Sequence, residues 1–386
     1  MTAPDLRFAL ALHARVAGGR PAGFAWSPYS VAAALGLTAA GARGRTRDEL
    51  VGLLAADGDL DGLAAALAAG AALTPAGGAA AGAGGGGKGV VGGSGPEAAL
   101  AVANTLWTDL TLPLSPAYRD LVKSWPGGSA RGADFRGAPE AARQEINADV
   151  ERSTRGLVTD LIDSGAISRD TGAVIVNALW LRASWTTPFE RAQTRPQPFR
   201  TPGGPIEVPT MRTTRQLPYA ARGGWTVVSV PAGSGVLADV LLPDGDLDAA
   251  EAELDADRLA GLLAATRPTE VALELPRVAV RGQAGLADPL AALGARLLFS
   301  PDADLSGVTD GREPLTVDAV VHKAVLRLDE AGLEGAAATA VMMTRLAAVV
   351  TPPRPVPVRV DRPFLLLVRH RPTGALYFLA RVTDPR

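Results

Sequence analysis

Chemistry in this chain would have to come from few residues. The histidines are His13, His322 and His370, and none has the HExxH spacing that places two imidazoles on one helix face for a metal. No serine sits in a G-x-S-x-G elbow, and the absence of cysteine removes thiol nucleophiles, Cys-zinc sites and disulfides. Asp329 and Glu330 are adjacent carboxylates, but neighbours on a strand point to opposite faces and cannot share a substrate. Gly82 to Lys88 has phosphate-loop spacing, yet Gly89 stands where a magnesium-binding hydroxyl is needed and no strand precedes it. Neither a catalytic group, a metal site nor a cofactor is expected. His322 belongs to an alternating strand, Leu315 to Leu328, where it shares a side with Val320, Ala324, Leu326 and Leu328. That spacing predicts a hydrogen-bonded core histidine.

The segment after this strand is more informative. Beyond Asp329-Glu330-Ala331-Gly332 comes the small-residue run Gly335-Ala336-Ala337-Ala338-Thr339-Ala340, then β-branched and apolar residues to Val350, then Pro352-Pro353. A stretch this long with no fold of its own is functional or disordered, and this one has a composition suited to a strand. It reads as a strand kept out of its sheet.

The elements that must position such a segment are legible in outline. Helical periodicity covers residues 5–17. Ser27-Pro28 reads as an N-cap with proline in the first turn, and Thr46 with Glu49 has capping-box spacing. Further helices are predicted for Leu60 to Leu73, from Pro116, from Pro139 to Thr154, and over Asp246 to Ala264. Strands are predicted for Ala98 to Trp107, Val174 to Leu181, Val271 to Leu275, Val358 to Val360, Phe364 to Arg369 and Leu376 to Val382, with several short ones between Pro205 and Pro243. Residues 75–96 form a low-complexity glycine and alanine tract, read as a flexible surface insertion. Helices early and strands late predict an α+β chain.

Composition sets the outer bounds. The chain has 386 residues, 47% hydrophobic and 20% charged, with net charge −2, and its cations are almost all arginine. That balance argues against a nucleic-acid footprint. No signal peptide or membrane-spanning run is in view, so a soluble cytoplasmic protein is the default expectation, with secretion left open.

The stretch Val321-His322-Lys323-Ala324-Val325-Leu326-Arg327-Leu328-Asp329-Glu330-Ala331-Gly332 resembles the strand and hinge before the reactive-centre loop of serpins. Other segments resemble the same family in its order. They are Phe24 to Ser30; Ile146-Asn147 with Val150-Glu151, Thr154 and Gly156; Asn177 to Trp185 with Pro188-Phe189; Leu275-Pro276-Arg277; Ala303 to Gly307; and Arg362-Pro363-Phe364. The resemblance spans nearly the whole chain. It implies a single domain over 1–386, with three β-sheets, eight to nine helices and an exposed reactive-centre loop at 331–357.

It also implies a monomeric suicide inhibitor of serine proteases. The target cleaves the loop, and the loop inserts into the central sheet before the acyl-enzyme hydrolyses. The hinge would comprise Glu330, Gly332, Leu333, Gly335, Ala336, Ala337, Ala338 and Thr339. Leu333 departs from the Thr or Ser of inhibitory members, and its bulk would slow insertion. Ser27, Ser30, Asn177 and His322 match the polar cluster where the sheet parts, Trp185 the tryptophan above it, and Arg277 with Glu330 the ion pair at the loop's base. Family spacing places the reactive bond at Leu346-Ala347, which implies a chymotrypsin-, elastase- or subtilisin-like target. One residue earlier, Arg345-Leu346, implies a trypsin-like one. A non-inhibitory carrier or plain substrate, and a cross-class inhibitor of cysteine proteases, are the alternatives.

Overall fold

The computed structural model describes residues 3–18, 20, 22–55, 58–73, 98–309, 314–333 and 354–386. The 75–96 tract lies outside them. The first half runs α1 (Ala3–Val16), β1 (Phe24–Trp26), α2 (Pro28–Gly41), α3 (Gly44–Leu54), α4 (Leu60–Ala71), β2 (Ala98–Asp109), α5 (Pro116–Val122), β3 (Gly128–Ala133), α6 (Pro139–Ser153) and β4 (Ala173–Ser184). Next come β5 (Arg195–Thr201), β6 (Gly204–Arg222), β7 (Trp225–Pro231), β8 (Val236–Pro243), α7 (Leu247–Ala252), α8 (Ala256–Ala264), β9 (Arg267–Pro276) and β10 (Val278–Gly285). The chain closes with α9 (Ala287–Ala292), α10 (Ser306–Thr309), β11 (Val317–Leu328), β12 (Gly332–Leu333), β13 (Val356–Arg359), β14 (Phe364–His370) and β15 (Leu376–Val382).

The architecture is α+β, and the expected three sheets are present in a linked form. One six-stranded sheet has the order β10-β11-β12-β4-β2-β3. The other two share β6: its residues 210–219 pair with β9 and 219–222 with β7. Several local expectations are corrected. The region 205–243 begins with one 19-residue strand, not several short ones. Pro209 and Pro218 lie inside it, directly opposite Pro196 and Pro268, so the missing donors are stacked at two rungs and do not break the strand. The helix expected over 246–264 is two, because Asp255 accepts from Arg258 N–H and starts a new one. That break helps bring the described helices to ten, against eight to nine expected.

Thr46 and Glu49 do not form a capping box. The helix begins at Gly44, and both side chains instead accept from another segment, Thr46 Oγ1 from Asp304 N–H at 3.0 Å and Glu49 Oε2 from Leu297 N–H at 2.8 Å. The expected loop 331–357 is also trimmed at both ends, since Gly332–Leu333 and Val356–Pro357 are already strand.

Helix α2 explains how the centre is positioned. Small and apolar on almost every side, it is buried for nearly its whole length beneath the six-stranded sheet. A Cβ on Gly36 would meet the Trp125 ring at 2.2 Å, so the close approach requires glycine. Ser27 caps the helix by accepting from Ser30 N–H, which fixes both serines under β4 and β11. On the opposite face of the sheet, Ile146 and Val150 of α6 and Leu161 and Ile162 beyond it pack on Trp107, Val174, Val176 and Ala178. Cover on both faces accounts for the continuous apolar run of β4.

Candidate functional site

The six-stranded sheet is divided along one seam. β11 and β4 run parallel and pair from Val317 and Ala173 up to Lys323 and Ala178. Above that rung the two strands part. Ala324 to Arg327 pair with β10, and Leu179 to Arg182 pair with β2, but not with each other. Into the open top enters β12. Leu333 pairs with Ala183 on one side and Leu328 on the other, and Gly332 pairs with Ser184, all antiparallel. Gly332 lies so near β4 that a Cβ there would be 2.2 Å from Ala183 O. Leu333 is 1% exposed and part of the main core. Its bulk, expected to obstruct entry, is thus already housed between the strands.

The polar cluster sits at the rung below the branch, where His322 is directly opposite Asn177. His322 Nε2 accepts from Ser27 N–H at 3.0 Å, so the ring proton is on Nδ1 and donates to Asn177 Oδ1 at 2.5 Å. Asn177 Nδ2 donates to Ser30 Oγ at 2.6 Å and to Asn104 Oδ1. Asn104 Nδ2 in turn donates to Pro126 O at 2.8 Å. Ser27, Ser30, Asn104, Asn177 and His322 are all fully buried. Burial holds the His322 pKa down at about 3, so the ring is neutral at ordinary pH. A satisfied buried network of this kind specifies one register, and it costs dearly when a member is lost. Asn104 is absent from the residues that sequence reasoning picks out, although an asparagine inside the apolar run Ala98 to Trp107 is the signal that marks it.

The hinge is tied down above the branch. Trp185 donates its indole N–H to Asp329 O at 2.7 Å and its backbone N–H to Ala331 O at 3.0 Å. Phe189 N–H reaches Glu330 O at 2.9 Å. The Glu330 carboxylate accepts from Arg277 Nε at 3.0 and 3.1 Å, from Arg277 Nη2 at 2.8 Å, and from Thr194 Oγ1 at 2.6 Å. Burial pushes the Glu330 pKa up, but the bonds from Arg277 and Thr194 outweigh it and hold the group below its ordinary value. Asp329 Oδ1 accepts from Ala331 N–H at 2.8 Å and Gly332 N–H at 3.3 Å, closing the turn that feeds β12 into the sheet. Sequence reasoning reaches Phe189 only as part of a motif and does not reach Thr194. The site therefore brings together Ser27, Ser30, Asn177, His322, Trp185, Arg277, Glu330, Gly332 and Leu333. Gly335, Ala336, Ala337, Ala338, Thr339, Arg345, Leu346 and Ala347 lie outside the described residues.

Comparisons of sequence and of structure with known proteins agree on one family. The family model for serpins, the serine protease inhibitors, matches residues 5–385. The bovine (Bos taurus) leukocyte elastase inhibitor is 30% identical, covering 100% of this chain and 99% of its own. Iripin-2 of Ixodes ricinus is 32% identical, with 99% and 93% covered. An uncharacterized serpin-like protein of Thermococcus kodakarensis is 30% identical, with 98% and 84% covered. Among solved structures, human thyroxine-binding globulin in complex with thyroxine superposes with a TM-score of 0.83 at 26% identity, covering 99% and 98% of the two chains. Uncleaved ovalbumin gives 0.79 at 22% identity, with 99% of each covered, and bears on the fold alone. The chain belongs to the serpin family and has the serpin fold.

Proposed function

We propose that the protein inhibits serine proteases as a suicide substrate. The single observation that carries this reading is the seam: β4 and β11 part above Lys323, and Gly332–Leu333 already occupy the top of the gap as an antiparallel strand. In the proposed sequence the protease serine Oγ attacks the Leu346 carbonyl carbon. The bond to Ala347 breaks, the Ala347 nitrogen leaves as an amine with a proton, and Leu346 stays esterified to the enzyme. The freed strand then zips downward from Leu333.

Geometry supports the length. Leu333 to Leu346 spans 13 steps (346 minus 333), about 43 Å at ~3.3 Å per residue. β4 has 12 residues, or about 40 Å. Full insertion would carry the ester from one end of the sheet to the other. Side chains support it too. Leu333 faces the core, so by alternation Gly335, Ala337 and Thr339 would follow it inward. Their small size suits a seam lined by packed residues. Insertion would replace a short parallel pairing, with its slanted bonds, by two antiparallel ladders. At about 0.5–1.5 kcal/mol per bond, some ten new bonds would contribute about 5–15 kcal/mol.

The test is incubation with chymotrypsin-, elastase-, subtilisin- and trypsin-class enzymes, scored for an SDS-stable adduct. Mass spectrometry of the released loop then distinguishes Leu346-Ala347 from Arg345-Leu346. Cleaved product alone across the panel would overturn the proposal. A cysteine-protease arm reads cross-class inhibition. The second reading is a non-inhibitory member: Leu333 stands where inhibitory members carry Thr or Ser, although it is already seated in the seam. That reading predicts cleavage without added stability.

A further inference from the structure

Three consecutive hinge carbonyls, those of Asp329, Glu330 and Ala331, accept hydrogen bonds from one short stretch of chain, Trp185 to Phe189. This strap leaves the end of β4 and is anchored at its start. Trp185 bridges Ala232, and Thr186 N–H reaches Pro231 O at 2.9 Å. Beyond Thr186 the strap has a different support, Arg215 of β6. Its guanidinium lies over the Phe189 ring at 5.0 Å and donates from Nη1 to Thr187 O. The Phe189 ring stands edge-on to Trp185 at 6.2 Å. Arg215 thus braces the second half of the segment that grips the hinge, at Thr187 and Phe189.

The arrangement is costly in isolation. Nε and Nη2 of Arg215 are buried without a hydrogen-bond partner, and burial lowers the guanidinium pKa to about 10. An arginine placed only to fill space would keep such donors in water, and a methionine would pack on Phe189 without the cost. The bond to Thr187 O and the flat face over Phe189 are what the guanidinium alone supplies.

We infer that Arg215 is a positioning residue for the hinge: it fixes the 185–189 strap, and the strap presents the Asp329, Glu330 and Ala331 carbonyls in the one arrangement that starts β12 in the seam. The kinetic consequence rests on the inhibitory reading above, whereas the structural one does not. Loosening the brace would let the hinge fluctuate at the moment insertion must outrun hydrolysis, so that more protease escapes per adduct formed.

Two variants test this. R215M keeps an apolar stem and removes donor and charge; R215K keeps charge and loses the planar face. In the intact protein, amide hydrogen exchange of residues 329–333 is expected to quicken at least tenfold in R215M and about threefold in R215K. With a protease that the wild type traps, the inhibitor consumed per adduct should rise at least threefold in R215M, while the rate of first attack on the loop stays within twofold. A merely stabilising arginine would lower the melting temperature and leave both readouts unchanged, and that result would overturn the inference. If R215M does not fold, R215K decides by the same two readouts. If the wild type traps no protease, the inhibitory reading fails on its own, and hydrogen exchange still decides the role of Arg215.

Discussion

At the scale of residues, the seam is governed by a few buried polar atoms. Removing Asn177 strands partners on His322, Ser30 and Asn104 at once. N177A should therefore lose about 3 kcal/mol of stability in chemical denaturation, in line with ~1–3 kcal/mol for each orphaned group. His322 also makes stability depend on pH. Its folded pKa is depressed to about 3, and that of buried His13 likewise, by burial and then by nearby Arg381. Both take up a proton on unfolding between roughly pH 6.5 and 3. Their contribution is complete above pH 6.5 and is lost as pH falls through that window. H322Q should flatten the slope of unfolding free energy near pH 5 by one proton, about 1.4 kcal/mol per pH unit. An unchanged slope would mean the ring is already charged in the folded state. Alternation along β11 is enough to place this histidine in the core. Asn104 and Thr194 escape such reasoning because nothing local marks which distant carbonyl or carboxylate they meet.

At the scale of elements, β12 matters most. Gly332 has no room for a side chain against Ala183 and Ser184. G332V should expel the two-residue strand, read as rapid amide exchange at Leu333 and as conversion of inhibitor to substrate. Leu333 tests a different point. Since it is seated before cleavage, L333T should leave inhibitor consumption within about twofold of wild type. It should lower the stability of the intact form by about 2 kcal/mol, roughly the worth of a buried leucine. A large gain in inhibition would show that Leu333 is an obstacle after all. Element boundaries are legible where local chemistry sets them, as with Ser27 and Pro28 at the start of α2. They fail at Thr46 and Glu49, whose side chains bond to Asp304 and Leu297, partners about 250 positions away in sequence.

At the scale of the molecule, the intact form would be metastable. A protein nicked in the loop should be more stable than the intact one by about 5–15 kcal/mol, the worth of some ten new ladder bonds, seen as a shifted denaturant midpoint. No gain would favour the non-inhibitory reading. The sheet arrangement supports this mechanically. The six-stranded sheet is already parted between β4 and β11 above Lys323, so insertion would have to separate the two strands only below that rung.

By itself the sequence determined which residues could form a latent strand. Their smallness and β-branched character are local properties, fixed by side-chain size and backbone preference. The family resemblance added the names of the residues around the seam. Only the tertiary structure decided where the seam stops, that Leu333 is already inside it, and that Trp185, Phe189 and Arg215 hold its entrance. Those depend on pairing strands about 145 residues apart in the chain, β4 with β11, and on which buried donors find acceptors across that pair. Such registers are set by packing and hydrogen-bond satisfaction over the whole core, which no local window of residues contains.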